Sequence, residues 1–139
     1  MRAPRRRNRS IETGLQAEVT LRLRINYPWI VVAALPNGVW LPASTDAERV
    51  MAARLIKRMK ATGMLTEGAG DLALMAKSRG CYIELKRPRS KDLLGNVTAA
   101  GVLSPDQRAF RDRCAECDVP FYVCHSWADV DAAVQEVWA

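Results

Sequence analysis

The 139 residues fit one domain, and a chain of this length buries roughly two thirds of its unfolded surface. A composition of 49% hydrophobic and 26% charged residues excludes a disordered chain, and no apolar run approaches the ~20 residues of a membrane-spanning helix. The net charge of +6 leaves two readings open, a surface that grips a polyanion or a plain solvated face.

Residues 1–9 hold five arginines and no acid, which predicts a disordered basic arm ahead of a single domain over 10–139. Ser10 reads as a helix N-cap. Ile11, Leu15, Val19 and Leu23 then recur every four residues, the stripe of an amphipathic helix that Asn26-Tyr27-Pro28 ends. Residues 29–35 are continuously apolar and predict a buried strand, and Pro36-Asn37-Gly38 is a turn. Thr45 or Asp46 caps a second helix over 46–61, with Val50, Ala53, Ile56 and Met59 inward and Arg54, Lys57, Arg58 and Lys60 outward.

Gly68-Ala69-Gly70 is a flexible approach to two strands, 71–76 and 81–86, joined by Lys77-Ser78-Arg79-Gly80. Residues 87–103 read as a long polar loop. Ser104-Pro105-Asp106-Gln107 opens a third helix with a capping-box pattern and a proline at its first position. A strand over 119–124 and a helix capped by Ser126 complete the chain, with Trp29, Trp127 and Trp138 in packing roles. The order α-β-α-β-β-α-β-α predicts an α/β fold, a mixed sheet flanked by helices.

Charge falls in blocks. Residues 49–91 carry eleven bases against three acids, Glu67, Asp71 and Glu84. Two of those acids sit in strands, where charge is costly unless paired or metal-bound. Glu84 and Lys86 are two apart and share a face. With a four-residue loop at 77–80, Asp71 faces Lys86 and lies diagonal to Glu84 on that same face. Two carboxylates that close repel unless a cation lies between them. Hard oxygen donors suit Mg²⁺ or Mn²⁺, and Lys86 beside them suits charge building on phosphorus. Together with the basic surface this points to metal-dependent phosphodiester hydrolysis. The plainer reading, an ion pair on a solvated edge strand, stays open on spacing alone.

Gly68-Ala69-Gly70-Asp71-Leu72, Ile83-Glu84-Leu85-Lys86 and Leu103-Ser104-Pro105-Asp106-Gln107 together resemble the VRR-NUC branch of the PD-(D/E)XK nucleases, in a small stand-alone form of phage or bacterial type. Glu12-Thr13-Gly14-Leu15-Gln16 resembles that family's opening helix and Pro36-Asn37-Gly38 its Pro-Asn turn. The likeness spans residues 10–137 and implies a restriction-endonuclease-like core. It also implies Asp71, Glu84 and the Leu85 carbonyl as metal ligands, Lys86 as the catalytic lysine, Gln107 as a positioning group and Glu12 as an additional acid. Cleavage of branched, flapped or junction DNA by a Mg-bound water follows from the resemblance, often by homodimers. Such chemistry fits DNA repair or recombination. Gly70 departs from the pattern, standing where many members have proline. The loop after Lys86 looks longer than usual and carries Arg87, Arg89 and Lys91, which with Arg54, Lys57 and Arg58 are the expected DNA contacts.

Other roles compete for some of these residues. Gln107 fits a structural capping box as well as a site. Glu12 stands in the expected first helical turn, where the dipole favours an acid, and Glu18 is its substitute. Cys114, Cys117, Cys124 and His125 are zinc-ligand types. Neighbours on a strand point to opposite faces, however, so buried thiols are the better reading and no zinc is expected. A non-catalytic nucleic-acid-binding module on the same fold is the alternative function. Four cysteines and no apolar leader after the arginines predict a reducing, cytoplasmic setting, on the nucleoid or in a phage-infected host.

Overall fold

The computed structural model describes residues 5–36, 41–66 and 68–139, with only the backbone described over 5–10. The Asn37-Gly38 turn, Glu67 and the first four residues lie outside the described set.

Helix α1 (Arg5–Asn26) is followed by β1 (Val31–Ala34), α2 (Asp46–Ala61), β2 (Leu72–Ala76) and β3 (Arg79–Leu85). Then come β4 (Ser90–Lys91), β5 (Val97–Thr98), α3 (Pro105–Glu116), β6 (Phe121–Cys124) and α4 (Trp127–Trp138). The expected order holds, with one addition: the 87–103 loop contains the β4–β5 hairpin. Four strands form a mixed sheet in the order β1-β2-β3-β6, antiparallel except for the parallel β3–β6 pair.

The two faces of β3 differ in partner. Cys81, Ile83 and Leu85 join Leu72, Leu74 and Cys124 of neighbouring strands against Val19 and Leu23 of α1 and Val130, Ala133 and Val134 of α4. This is the core, and the four-residue stripe of α1 supplies its share of it. The other face carries Tyr82, whose ring meets Phe110 of α3 edge-on at 5.0 Å. Trp138 caps the sheet end, its indole N–H donating to the Ala76 carbonyl at 2.9 Å.

Four expectations are corrected. Helix α1 starts at Arg5, ahead of Ser10. Ser10 is therefore an interior position rather than a cap; arginine is a good helix former and no Gly or Pro intervenes. Strand β1 is an edge strand paired only with β2, and Val31 is 67% exposed, so the strand is not buried. Helix α2 is well capped by Thr45 through a capping box with Glu48, yet none of its residues is buried. Among the described residues no other element packs on its apolar stripe.

The hairpin turn is the fourth. Lys77 and Ser78 both adopt left-handed backbone (φ 49° and 61°), so a two-residue turn closes β2 onto β3 and Ala76 pairs with Arg79, not Cys81. Paired positive-φ residues match the twist of the flanking strands. The Lys77 ammonium lies 4.8 Å from the Trp29 ring centroid, a cation–π contact that holds the turn. Gly80 is thereby a strand residue opposite Met75, where a Cβ would meet the Met75 sulfur at 2.2 Å. The register moves by two positions, which preserves the face of every side chain.

Candidate active site

Glu84 is the sole charged residue among the buried described residues, at 2% exposure. It sits on β3, between β2 and β6, and points to the α3 face. Lys86 follows two residues later, and its Nζ lies 2.9 Å from Glu84 Oε1. The same-face expectation for this pair therefore stands, and the ion pair is enclosed rather than on a solvated edge: the lysine side chain is only 12% exposed.

Asp71 arrives from the other strand. Carrying the observed register one step past Leu72↔Ile83 puts Asp71 directly opposite Glu84 rather than diagonal to it. The β2 ladder ends at Leu72, and the next inward-facing N–H of β3, that of Leu85, donates to Asp71 Oδ2 at 2.7 Å. A side-chain carboxylate thus takes the place of a strand carbonyl. Gly70 permits the approach, since a Cβ there would stand 2.8 Å from the Ile83 carbonyl oxygen. The departure from proline at this position is accordingly a requirement of close backbone contact.

Gln107 makes a capping contact and a contact with Glu84 at once. Its Oε1 accepts from the Ser104 backbone N–H at 2.8 Å and completes the capping box of α3. Its Nε2 donates to Glu84 Oε1 at 2.6 Å. The first turn of α3 is brought here by Gly68, which has φ +75° and lies so close that a Cβ would meet the Asp106 carbonyl oxygen at 2.2 Å.

Glu12 is half-buried, and its charge acts on Glu84. It stands about two turns inside α1, which has no acid in its first turn, so the dipole does not explain it. Glu18 instead pairs with Arg22 at 3.1 Å on the exposed side of the helix.

The electrostatics follow from this packing. Burial, then the Asp71 charge, push the Glu84 carboxyl up to about 7; hydrogen bonding and charge from Lys86 oppose the rise, and Glu12 adds to it. Both neighbours of Glu84, Lys86 and Gln107, bind Oε1. Oε2 is buried with no hydrogen-bond partner. A buried carboxylate oxygen without a partner is costly. Among the described residues no cluster of three or more His, Cys, Asp or Glu side chains is arranged for a metal. Mg²⁺, however, is commonly held by one or two carboxylates, with waters and substrate oxygens filling the rest. A buried hard oxygen without a hydrogen-bond partner, within reach of the Asp71 charge, fits such an ion.

Over residues 28–128 the sequence matches the VRR-NUC domain. The chain belongs to the VRR-NUC domain family. No curated protein and no solved structure gave a match. The VRR-NUC assignment brings nuclease-type function within the PD-(D/E)XK superfamily, whose members typically use a divalent metal, and the mixed sheet flanked by helices agrees with it. No described helix is long and apolar enough to cross a membrane.

The expected DNA contacts of this VRR-NUC chain are dispersed. Arg54, Lys57 and Arg58 are exposed on α2, and Arg89 and Lys91 are exposed beyond β3. Arg87 is half-buried and donates to the Ala99 carbonyl at 2.9 Å, bracing the β4–β5 hairpin. Cys81, Cys114 and Cys124 are buried and Cys117 is exposed, none in a disulfide. His125 Nε2 lies 3.2 Å from the Gly101 carbonyl. Sequence reasoning set the two contacts of Gln107 against each other as alternatives, and it missed the hairpin carrying Leu93 and Leu94. The Asp92-Leu93-Leu94-Gly95-Asn96 string is turn chemistry that signals the latter.

Proposed function

We propose that the protein is a metal-dependent deoxyribonuclease acting on branched, flapped or junction DNA. The observation that carries this reading is Glu84 Oε2, buried and unpartnered beside Asp71 and Lys86. Asp71, Glu84 and the Leu85 carbonyl would hold Mg²⁺ or Mn²⁺. In an extended strand a residue's N–H and C=O point to the same neighbour, and the Leu85 N–H points to Asp71, so its carbonyl opens on that side too. A divalent ion bound there supplies the charge that acidifies water and neutralises phosphate oxygens.

The chain's own groups do the remainder. Lys86 and Gln107 hold Glu84 Oε1 and fix the rotation of the carboxylate. Lys86 stands in a poorly hydrated position, where it stabilises charge developing on phosphorus. Glu12 adds negative field from α1. Arg54, Lys57, Arg58, Arg89 and Lys91 bind phosphates without reading bases, and the five arginines of residues 1–9, ahead of the nuclease domain of 10–139, add to DNA binding. One such site cuts one strand, and symmetric cutting needs a homodimer. The exposed Val50, Met51 and Leu55 of α2, 51%, 70% and 47% accessible, support α2 as its interface. Four unpaired cysteines support an intracellular setting, on the nucleoid or in a phage-infected host, with roles in DNA repair or recombination.

The test is incubation with duplex, flap, splayed and four-way DNA in Mg²⁺, Mn²⁺ or EDTA, beside Glu84→Ala and Lys86→Ala. Cleavage is expected with the metals, and EDTA and either substitution should abolish it, with DNA binding largely retained in Lys86→Ala. Variants that cut like the parent would remove these residues from the site. DNA binding by a parent that never cuts would instead assign a non-catalytic module.

A further inference from the structure

We infer that the β4–β5 hairpin is an apolar wedge that enters DNA at a branch point next to the active site. This deepens the nuclease reading above and rests on it.

The hairpin rises directly from the end of β3, and both of its ends are anchored at Lys86. Gly101 N–H donates to the Arg87 carbonyl at 2.8 Å, and a Cβ on Gly101 would lie 3.3 Å from the Lys86 Cβ. From there every residue over 88–99 is exposed. A free projection of this kind is usually polar, yet its tip is Leu93 and Leu94, at 106% and 88% accessibility, the two most exposed large hydrophobic side chains described.

The tip is built rather than slack. Asp92 accepts from the backbone N–H of Leu94 and Asn96 at 2.9 and 2.8 Å and from the Asn96 amide at 2.9 Å. Gly95, with φ +85°, closes the turn by donating to the Asp92 carbonyl at 3.1 Å. The carboxylate of the finger's single acid is thereby engaged internally. The remaining charges are positive: Arg89 just ahead of β4 and Lys91 on β4, on the side leading to the leucines.

Cations along the flank and two leucines at the end match one partner. The flank suits a phosphate backbone, and an apolar tip suits insertion between base steps. A branch point, where stacking is already interrupted, is the cheapest place for it. The span from Arg87 to Leu93 is six residues, at most about 20 Å at ~3.3 Å each. The cut should therefore fall within about six nucleotides of the branch, at ~3.4 Å per nucleotide.

The experiment uses Leu93→Ser with Leu94→Ser, both fully exposed, so folding is not at stake. Cutting of flap and four-way DNA is followed alongside a substrate already mismatched at the branch. In a Lys86→Ala background, 2-aminopurine placed at the branch reports unstacking. The wedge predicts that the double variant loses about ten-fold or more on flap and four-way DNA, and much less on the pre-opened substrate. The fluorescence rise seen with Leu93 and Leu94 in place should vanish with the serines. Unchanged cutting with an unchanged fluorescence rise would overturn it. So would a changed mass by light scattering with DNA handling intact, which would make the tip a self-association patch. If the parent cuts nothing, the nuclease reading fails, and the 2-aminopurine signal alone then decides whether the finger enters DNA.

Discussion

Adjacent residues of β3 live under opposite rules. Ile83 and Leu85 are fully enclosed by apolar side chains of α1 and α4, while Glu84 between them is equally enclosed yet keeps an oxygen without a partner. One face is packed for stability. The other holds repelling acids in place at a cost that the first face offsets. Strand alternation lets a single segment do both, because odd and even positions never share surroundings.

Substitution on either side of the strand should separate the two rules. Glu84→Ala is expected to cut cleavage by about a thousand-fold or more while the fold survives, the magnitude seen when a charge-stabilising group is removed. Ile83→Ala should do the reverse, costing about 2–5 kcal/mol in urea unfolding with activity per folded molecule near that of the parent. If Ile83→Ala also silences the folded fraction, the faces are not separable.

Gln107 sharpens the comparison, because one amide touches both cap and site. Gln107→Glu preserves the acceptor that the Ser104 N–H needs but sets a second carboxylate against Glu84. It should keep helix stability and lose activity by about ten-fold or more. Gln107→Ala should lose both, with about 1 kcal/mol of stability going with the cap. Equal activity in Gln107→Glu and the parent would leave the residue as a cap only.

The smallest effect concerns pH. An unfolded chain releases the Glu84 proton near 4.5 and the folded chain at about 7, so the folded state binds more protons between those values. Its contribution to stability is complete below 4.5 and is lost as pH rises to about 7. Melting curves from pH 5 to 8 should show a fall that Glu84→Gln flattens. Mg²⁺ or Mn²⁺ should raise the midpoint by a few degrees above about pH 7, where the carboxylate is free to bind. A metal effect of equal size at pH 5 would place the ion elsewhere.

Much of this arrangement could be read from residue order. The α1 stripe, the Ser104 box and the shared face of Glu84 and Lys86 rest on local periodicity, and all three are present, the stripe from Leu15 to Leu23 but not at the exposed Ile11. Asp71 kept its face because the register error was an even number. What escaped depends on distant partners or unusual backbone. Nothing in Val50, Ile56 or Met59 tells that no element among the described residues covers α2, and an apolar run does not reveal whether its strand lies at an edge. Lys77-Ser78 carries none of the Asn-Gly signal of a two-residue turn, since its left-handed backbone leans on Trp29. The double duty of Gln107 needs α3 to be seated by Gly68, a contact 38 residues away in sequence from Asp106.

The position of β3 has a last consequence. It pairs with β2 on one side and with β6, the edge strand, on the other. The N–H groups of Tyr82 and Lys86 bond to β6 while that of Leu85 faces the β2 side, so detachment of β6 alone frees the first two, which should exchange their protons sooner than the third.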